Sequence, residues 1–351
     1  MSQGFWGGRR VLVTGHTGFK GAWLTAWLQL LGAEVHGLAL EAGDPSLARL
    51  LDLPNDGDQA LGDIRDLDTV RVAFARSTPD VVFHLAAQSL VLSAYSDPVG
   101  TYRTNVVGTA HVLEAARGPD APRAVVVVTS DKVYDPSAST PPFDEQSPLG
   151  GADPYSSSKA AAEMVAVAYR RAYLAGNGVA VATARAGNVI GGGDWAENRI
   201  VPDLLRAREQ HAPLELRYPE AVRPWQHVLD PLHGYLLLAE RLVDDPAGAP
   251  EALNFGPAAA SGCAVSELVE RLRAAFGGEP EWRAGPTPEL HETADLRLSS
   301  QLATKTLGWT PRLEVDDAIS WTAEWHLAHE RGDDVHGICG AQIATFERLG
   351  P

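Results

Sequence analysis

Through the first half of the chain, short unbroken apolar runs alternate with longer stretches whose apolar residues recur at helical spacing. "RRVLVTG" at 9–15 leads into "AWLTAWLQLLG" at 22–32, and "AEVHGLAL" at 33–40 follows. Further strands are predicted at 59–63, at "DVVFHLA" (80–86) and at "RAVVVVTS" (123–130), with helices between them. Unbroken apolar strands spaced by helices indicate a parallel sheet covered on both faces. The pattern predicts an α/β fold built on a Rossmann-type, doubly wound parallel sheet, which binds its ligands beyond the carboxyl ends of the strands.

Past residue 186 the pattern loosens. "GNVIGGGDW" (187–195) is glycine-rich, "ELRYPEAVRPW" (215–225) is mixed, and "EALNFGP" (251–257) reads as another short strand. Helical spacing returns around 264–276 and 315–329. Neither an internal repeat nor a low-complexity linker interrupts the chain. The expected division is a dinucleotide-binding domain over 1–185, which also receives 224–245, and a smaller mixed α/β substrate lobe over 186–351. The two are interleaved, with the lobe closing over the sheet edge.

Composition narrows the partners. At 351 residues, 45% hydrophobic and 21% charged, the chain is an ordinary soluble globule with room for a proper core. A formal net charge of -16 sets the surface against nucleic acid and anionic membranes, because phosphates are repelled on average. Cys263 and Cys339 are the only cysteines and have no metal-ligand spacing, so neither a disulfide framework nor a metal site is predicted. No apolar stretch reaches ~20 residues, and "MSQGFWGGRR" carries no signal-peptide core, which points to a cytoplasmic setting.

The first candidate chemistry is a glycine loop. "VLVTGHTGFKGAWL" puts Gly15, Gly18 and Gly21 directly after a strand and at the start of a helix. Such glycines allow a tight turn, close approach of backbone to a pyrophosphate, and close helix–strand packing, while the helix N-terminus offers free N–H groups. Glu41, just past the second strand, stands at the distance expected of the acid that holds the adenosine ribose, a place a solvated surface glutamate fills equally well. With no arginine between 38 and 46 to receive a 2′-phosphate, NAD is favoured over NADP. In "GDIRD" (62–66), Asp63 and Ile64 would flank the adenine.

The second is "DPYSSSKAAAEM", where Tyr155 and Lys159 stand four apart at a helix start. Residues at that spacing share a helix face, so the ammonium can sit below the phenol and lower its pKa toward that of a general base. The serines between them offer capping hydroxyls. Upstream, the apolar strand ends at "TSDKVY", placing Asp131 beside Lys132 at the mouth of the sheet. The plain alternative for that pair is a solvated loop ion pair.

These segments together resemble the extended short-chain dehydrogenase/reductases of the NAD-dependent epimerase/dehydratase family, and within it the CDP-glucose 4,6-dehydratases. The likeness is carried by "GHTGFKG" (15–21), "FHLAAQ" (83–88), "NVVGT" (105–109), "TSDKVY" (129–134) and "PLGGADPYSSSK" (148–159). It continues through "ARAGNVIGGGDW" (184–195), "RPWQHVLDPLHGYL" (223–236) and "LGWTPR" (307–312). The resemblance implies that Tyr155 takes the C4 hydroxyl proton of a hexose, Ser130 binds the C4 oxygen, and Lys159 holds the nicotinamide ribose. It implies Asp131 as acid for the departing C6 hydroxyl and Lys132 as an aid to C5 proton removal. Thr17, Phe19, Lys20, Leu85, Ala86, Ala87, Asn105 and Thr129 fall in segments that line NAD. Gln88, Asn188, Arg199, Arg217, Arg223 and His227 fall in segments facing the sugar nucleotide, arginine being well suited to a diphosphate; His227 also reads as a packed core histidine.

Two segments depart from that pattern. "SLVLSAYSDP" (89–98) lacks the arginine the dehydratases carry there, and "VYDPSASTPPFDEQS" (133–147) replaces an aromatic-rich continuation with small residues and prolines. Both border the expected sugar site, so a different sugar nucleotide or a nucleoside-like glycoside stands as an alternative substrate. A 4-epimerase would use the same Tyr–Lys–Ser set without Asp131 and Lys132, and a non-catalytic dinucleotide sensor would need none of them. The family's intersubunit four-helix bundle implies a homodimer built from helices near 104–117 and 155–174.

Overall fold

The computed structural model describes residues 3–53, 61–257, 262–286 and 296–350. Its centre is one sheet of six parallel strands: β1 (Arg10–Thr14), β2 (Glu34–Leu38), β3 (Val81–His84), β4 (Ala124–Val128), β5 (Ala180–Ala186) and an outer strand, Ala252–Phe255. The order across the sheet is Ala252–Phe255, β5, β4, β3, β1, β2. The chain thus winds outward from β1 to β2 and then returns to β3 on the other side of β1. A crevice opens at that reversal, above the carboxyl ends of the strands. The strand predicted at 59–63 is a single parallel bridge from Leu61 to Ala39 in the described part, residues 59 and 60 lying outside it.

Side-chain alternation explains why these strands read as continuous apolar runs. In β4, Ala124, Val126 and Val128 enter one core while Val125 and Val127 enter the other. The first core is closed by Trp6, Trp23, Trp27, Trp309 and the helix Leu229–Asp244. The second is closed by the helices Leu67–Ser77, Gly108–Ala115 and Pro154–Tyr169. A separate cluster of Ile190, Val201, Leu204, Trp225, Leu268 and Ile319 holds the lobe together.

The return of the C-terminal half to the sheet is more extensive than the pattern predicts. The strand read at 251–257 pairs in parallel with β5 instead of belonging to the lobe. The helix Gln301–Leu307 packs on that strand, and the C-terminal helix Val335–Arg348 packs on Phe19–Leu30. The cause is exposure: β5 is buried along its whole length and needs a partner on its far edge. The helix read at 104–117 runs from Pro98 to Ala115, with a wider π turn at Arg103–Val107. That read at 155–174 begins at Pro154 and ends in a π turn, Arg170–Leu174.

Candidate active site

Above the strand ends lies a cavity of about 920 Å³, walled by the glycine loop, the ends of β3, β4 and β5, segment 88–97 and the lobe. Gly15 adopts φ +79°, where a side chain is strained, and a Cβ there would stand 2.7 Å from the Ala86 nitrogen. A Cβ on Gly21 would fall 2.0 Å from the Gly15 oxygen. The loop therefore closes against β3 only with glycine at both positions, leaving the N-terminus of the helix Phe19–Leu30 facing the cavity. That is a cradle fitted to a pyrophosphate. Thr17, Gly18, Phe19, Lys20, Asp63, Ile64, Leu85, Ala86, Ala87 and Thr129 all lie on the same wall.

Ser130, Asp131, Lys132, Tyr155 and Lys159 converge on this cavity. The hydroxyl of Ser130 donates to Asp131 Oδ1 at 2.9 Å and accepts the Lys132 backbone N–H at 3.2 Å. The other carboxylate oxygen of Asp131 is buried without a partner. Burial raises the Asp131 pKa, against Lys132, the Ser130 hydrogen bond, Lys20 and Arg223, which lower it. A carboxyl held toward its protonated form, with a free oxygen, is equipped to act as an acid. Burial likewise pushes the Tyr155 phenol up to about 12, opposed by its hydrogen bond to Ser130 and by Arg199.

Lys159 lines the same cavity as Tyr155. Its ammonium donates to the Val128 carbonyl at 3.2 Å, at the end of β4. Burial brings Lys159 itself down to about 8, with Glu163 opposing. Glu163, one helical turn further on, is buried, forms a close ion pair with Arg185 at 2.7 Å, and accepts from Thr129 and Thr183.

Of the residues predicted to face the sugar nucleotide, Gln88, Asn188, Arg199, Arg217 and Arg223 line the cavity. Gln88 turns its amide into the protein, donating to Thr101 at 3.0 Å. Arg199 spans the cavity mouth, pairing with Asp194 at 3.0 Å and donating to Ser89 at 3.1 Å. Three predicted residues are elsewhere. His227 is fully buried between Trp23 and Trp321, off the cavity wall, because the lobe closes over it. Glu41 is largely exposed and pairs with Arg49 at 3.2 Å, off the cavity wall, since the chain turns outward after β2. Asn105 is buried behind the wall, its amide donating to the Gln88 carbonyl and Ser158 and its oxygen accepting the Gln88 N–H. It positions the loop and does not line the cavity.

The reading of the sequence missed three supports. Asp153 caps the Tyr155 helix, its Oδ1 accepting from the N–H groups of Tyr155 and Ser156 at 2.9 and 3.0 Å. Of the serines credited with capping, Ser156 donates to the Asp153 carboxylate, while Ser157 and Ser158 donate to the Asp153 and Tyr155 carbonyls. An aspartate directly before a proline at N1 was the available signal. Glu163 sits at the same i+4 step from Lys159 that joins Lys159 to Tyr155. Asp194 offered no signal, its partnership with Arg199 depending on the loop's path.

A dinucleotide cradle at the switch point of a parallel sheet, facing a Ser–Tyr–Lys set, defines an α/β enzyme of the short-chain dehydrogenase/reductase class. Residues 11–256 match the sequence model of the NAD dependent epimerase/dehydratase family. The CDP-glucose 4,6-dehydratase of Salmonella typhimurium (strain LT2) is 42% identical over 99% of this chain and 98% of its own. Among solved structures, the NAD dependent NDP-hexosamine 5,6-dehydratase TunA is 26% identical with a TM-score of 0.74, covering 93% of this chain and 99% of its own. MoeE5, solved with UDP-glucuronic acid and NAD, has the same identity and TM-score over 91% and 99%. The chain belongs to the NAD dependent epimerase/dehydratase family, and NAD is its cofactor.

Proposed function

We propose that this chain is an NAD-dependent 4,6-dehydratase of a nucleotide-linked hexose, CDP-glucose in particular. The observation that carries the reading is the meeting on one cavity wall of a redox set, Ser130–Tyr155–Lys159, with a buried acid, Asp131. Loss of a C6 hydroxyl is difficult while the C5 proton is unactivated. A ketone at C4 makes that proton acidic and turns the C6 hydroxyl into a β leaving group.

NAD, when bound in the glycine cradle, supplies the hydride acceptor and returns the hydride. Tyr155 takes the C4 hydroxyl proton, Ser130 holds the C4 oxygen, and Lys159 holds the ribose. Asp131 gives its proton to the departing C6 hydroxyl, with Lys132 aiding C5 proton removal. A 4-epimerase has no use for a buried carboxyl pushed toward its neutral form, and that observation favours dehydration. Asn188, Arg199, Arg217 and Arg223 serve the sugar and diphosphate. The apolar wall Leu90, Val91 and Leu92 lacks a cation of its own, and Arg199 brings one across from the lobe to Ser89.

In this reading residues 1–185 form the cofactor half and 186–351 supply the substrate lobe, with 224–245 returned to the first. The active unit is a homodimer, supported by the exposed Val99, Tyr102, Val107, Met164 and Tyr173 on the helices Pro98–Ala115 and Pro154–Leu174. The two buried free thiols suit a reducing cytoplasm. Incubation of the purified protein with CDP-glucose and NAD tests the reading. The expected product is lighter than substrate by one water, and unchanged substrate in the presence of bound cofactor contradicts it.

A further inference from the structure

Tyr155, Lys159 and Glu163 stand at successive i+4 steps of the helix Pro154–Tyr169 and so share one of its faces. Tyr155 and Lys159 line the cavity, whereas Glu163 is buried off the cavity wall. The Glu163 carboxylate accepts four hydrogen bonds from two neighbouring strands. Thr129, directly after β4, donates to Oε1 at 2.5 Å, and Thr183 of β5 donates to Oε2 at 2.7 Å. Arg185, also of β5, donates to both oxygens, at 2.9 and 2.7 Å.

Arg185 reaches in a second direction as well. It donates to the Tyr134 hydroxyl at 2.9 Å, and that hydroxyl donates to Asn254 Oδ1 at 2.6 Å. The Tyr134 ring stacks on Phe143, with centroids 5.1 Å apart. Thr129 and Tyr134 flank the turn at 130–133, which carries Ser130, Asp131 and Lys132. The run of contacts Thr129–Glu163–Arg185–Tyr134 therefore brackets that turn and ties both of its ends to the helix bearing Tyr155 and Lys159. Lys159 adds a second tie one residue earlier, at the Val128 carbonyl.

A buried ion pair adds little stability over an apolar pair of the same volume, because desolvation offsets the attraction. What it supplies is direction: a planar guanidinium bonded to a carboxylate is fixed in angle as well as distance. Resting on the dehydratase reading, we propose that Glu163 and Arg185 are positioning residues that hold the elimination turn in register with the redox helix. One bound sugar must meet Tyr155 at its C4 oxygen and Asp131 at its C6 oxygen without leaving the site. Those two groups come from different elements, so their separation is set by whatever joins the elements. The bracket joins them, and Asn254 on the outer strand is its far anchor.

Glu163→Gln is a blunt variant, since it leaves the Arg185 charge buried without its counter-charge. The test therefore uses two hydroxyls bonded to the pair. Tyr134→Phe removes the Arg185 arm that ends the turn. Thr183→Val removes a hydrogen bond from the same carboxylate on the β5 side, away from the turn. Both are expected to bind NAD and to melt somewhat below wild type. In Tyr134→Phe, oxidation is expected to persist while elimination slows by up to about 10²-fold, the effect of misplacing a reacting group by about 1 Å. Reduced cofactor then accumulates during turnover of CDP-glucose, read from its absorbance, with kcat falling and KM little changed. Thr183→Val is expected to keep the wild-type kcat without that accumulation. An unchanged kcat in Tyr134→Phe, or equal falls in both variants, overturns the proposal and leaves the pair a structural support alone. Wild-type protein in the same assay checks the dehydratase reading separately: unchanged CDP-glucose, with NAD bound, contradicts that reading itself.

Discussion

Asp131 concentrates the tension between stability and chemistry. A carboxyl whose pKa is raised on folding binds a proton more tightly in the folded state than in the unfolded chain. Its contribution to stability is therefore full below the ordinary carboxylate pKa and is lost as pH rises through the raised folded value. Above that, an ionised and incompletely bonded carboxylate is buried at a cost. Asp131→Asn removes the charge and keeps the shape. It is expected to abolish dehydration by about 10²–10⁴-fold, while NAD binding persists. It is also expected to melt higher than wild type, with the gap widening from about pH 4, near the ordinary carboxylate value, to pH 8 in thermal scans. An equal gap at both pH values, or full dehydratase activity, contradicts the role given to Asp131.

At the scale of elements, one helix carries the redox chemistry, and its first turn depends on Asp153. Asp153→Ala leaves two N–H groups of that turn without their acceptor. The expected loss of stability is about 0.5–2 kcal/mol. Turnover should fall further than that figure suggests, because the uncapped turn is the one holding Tyr155. Urea denaturation and steady-state kinetics read the two effects, and a variant unchanged in both removes Asp153 from the account. The same helix shows what a sequence can carry. The glycine loop, β4 and the Tyr155–Lys159 spacing were legible because each follows from local rules of backbone, burial and periodicity. Glu41, Asn105 and His227 lie off the cavity wall, because their facing depends on where the chain turns after β2, on the Gln88 loop, and on the lobe's closure. The strand at 251–257 was legible as a strand, but its partner, β5, is set by an edge some seventy residues earlier.

For the whole molecule, the net charge of -16 and the cluster of basic groups in the cavity act together. The acidic surface discourages polyanions, while the basic groups lining the cavity suit the one small diphosphate of the proposed substrate. Five of the eleven large apolar residues left exposed among the described residues lie on two packed helices, where Val99 is 62% and Met164 60% exposed. Light scattering is expected to give a dimer, and Met164→Glu a monomer with diminished thermal stability; a monomeric wild type contradicts the assembly. The central claim is that oxidation, elimination and hydride return occur on one bound sugar. Its most direct test is mass spectrometry of the product from CDP-glucose labelled with deuterium at C4. The account predicts a 4-keto-6-deoxy sugar nucleotide, one water lighter, with the deuterium at C6. A product that keeps its water, or one that loses water but carries no deuterium at C6, contradicts it.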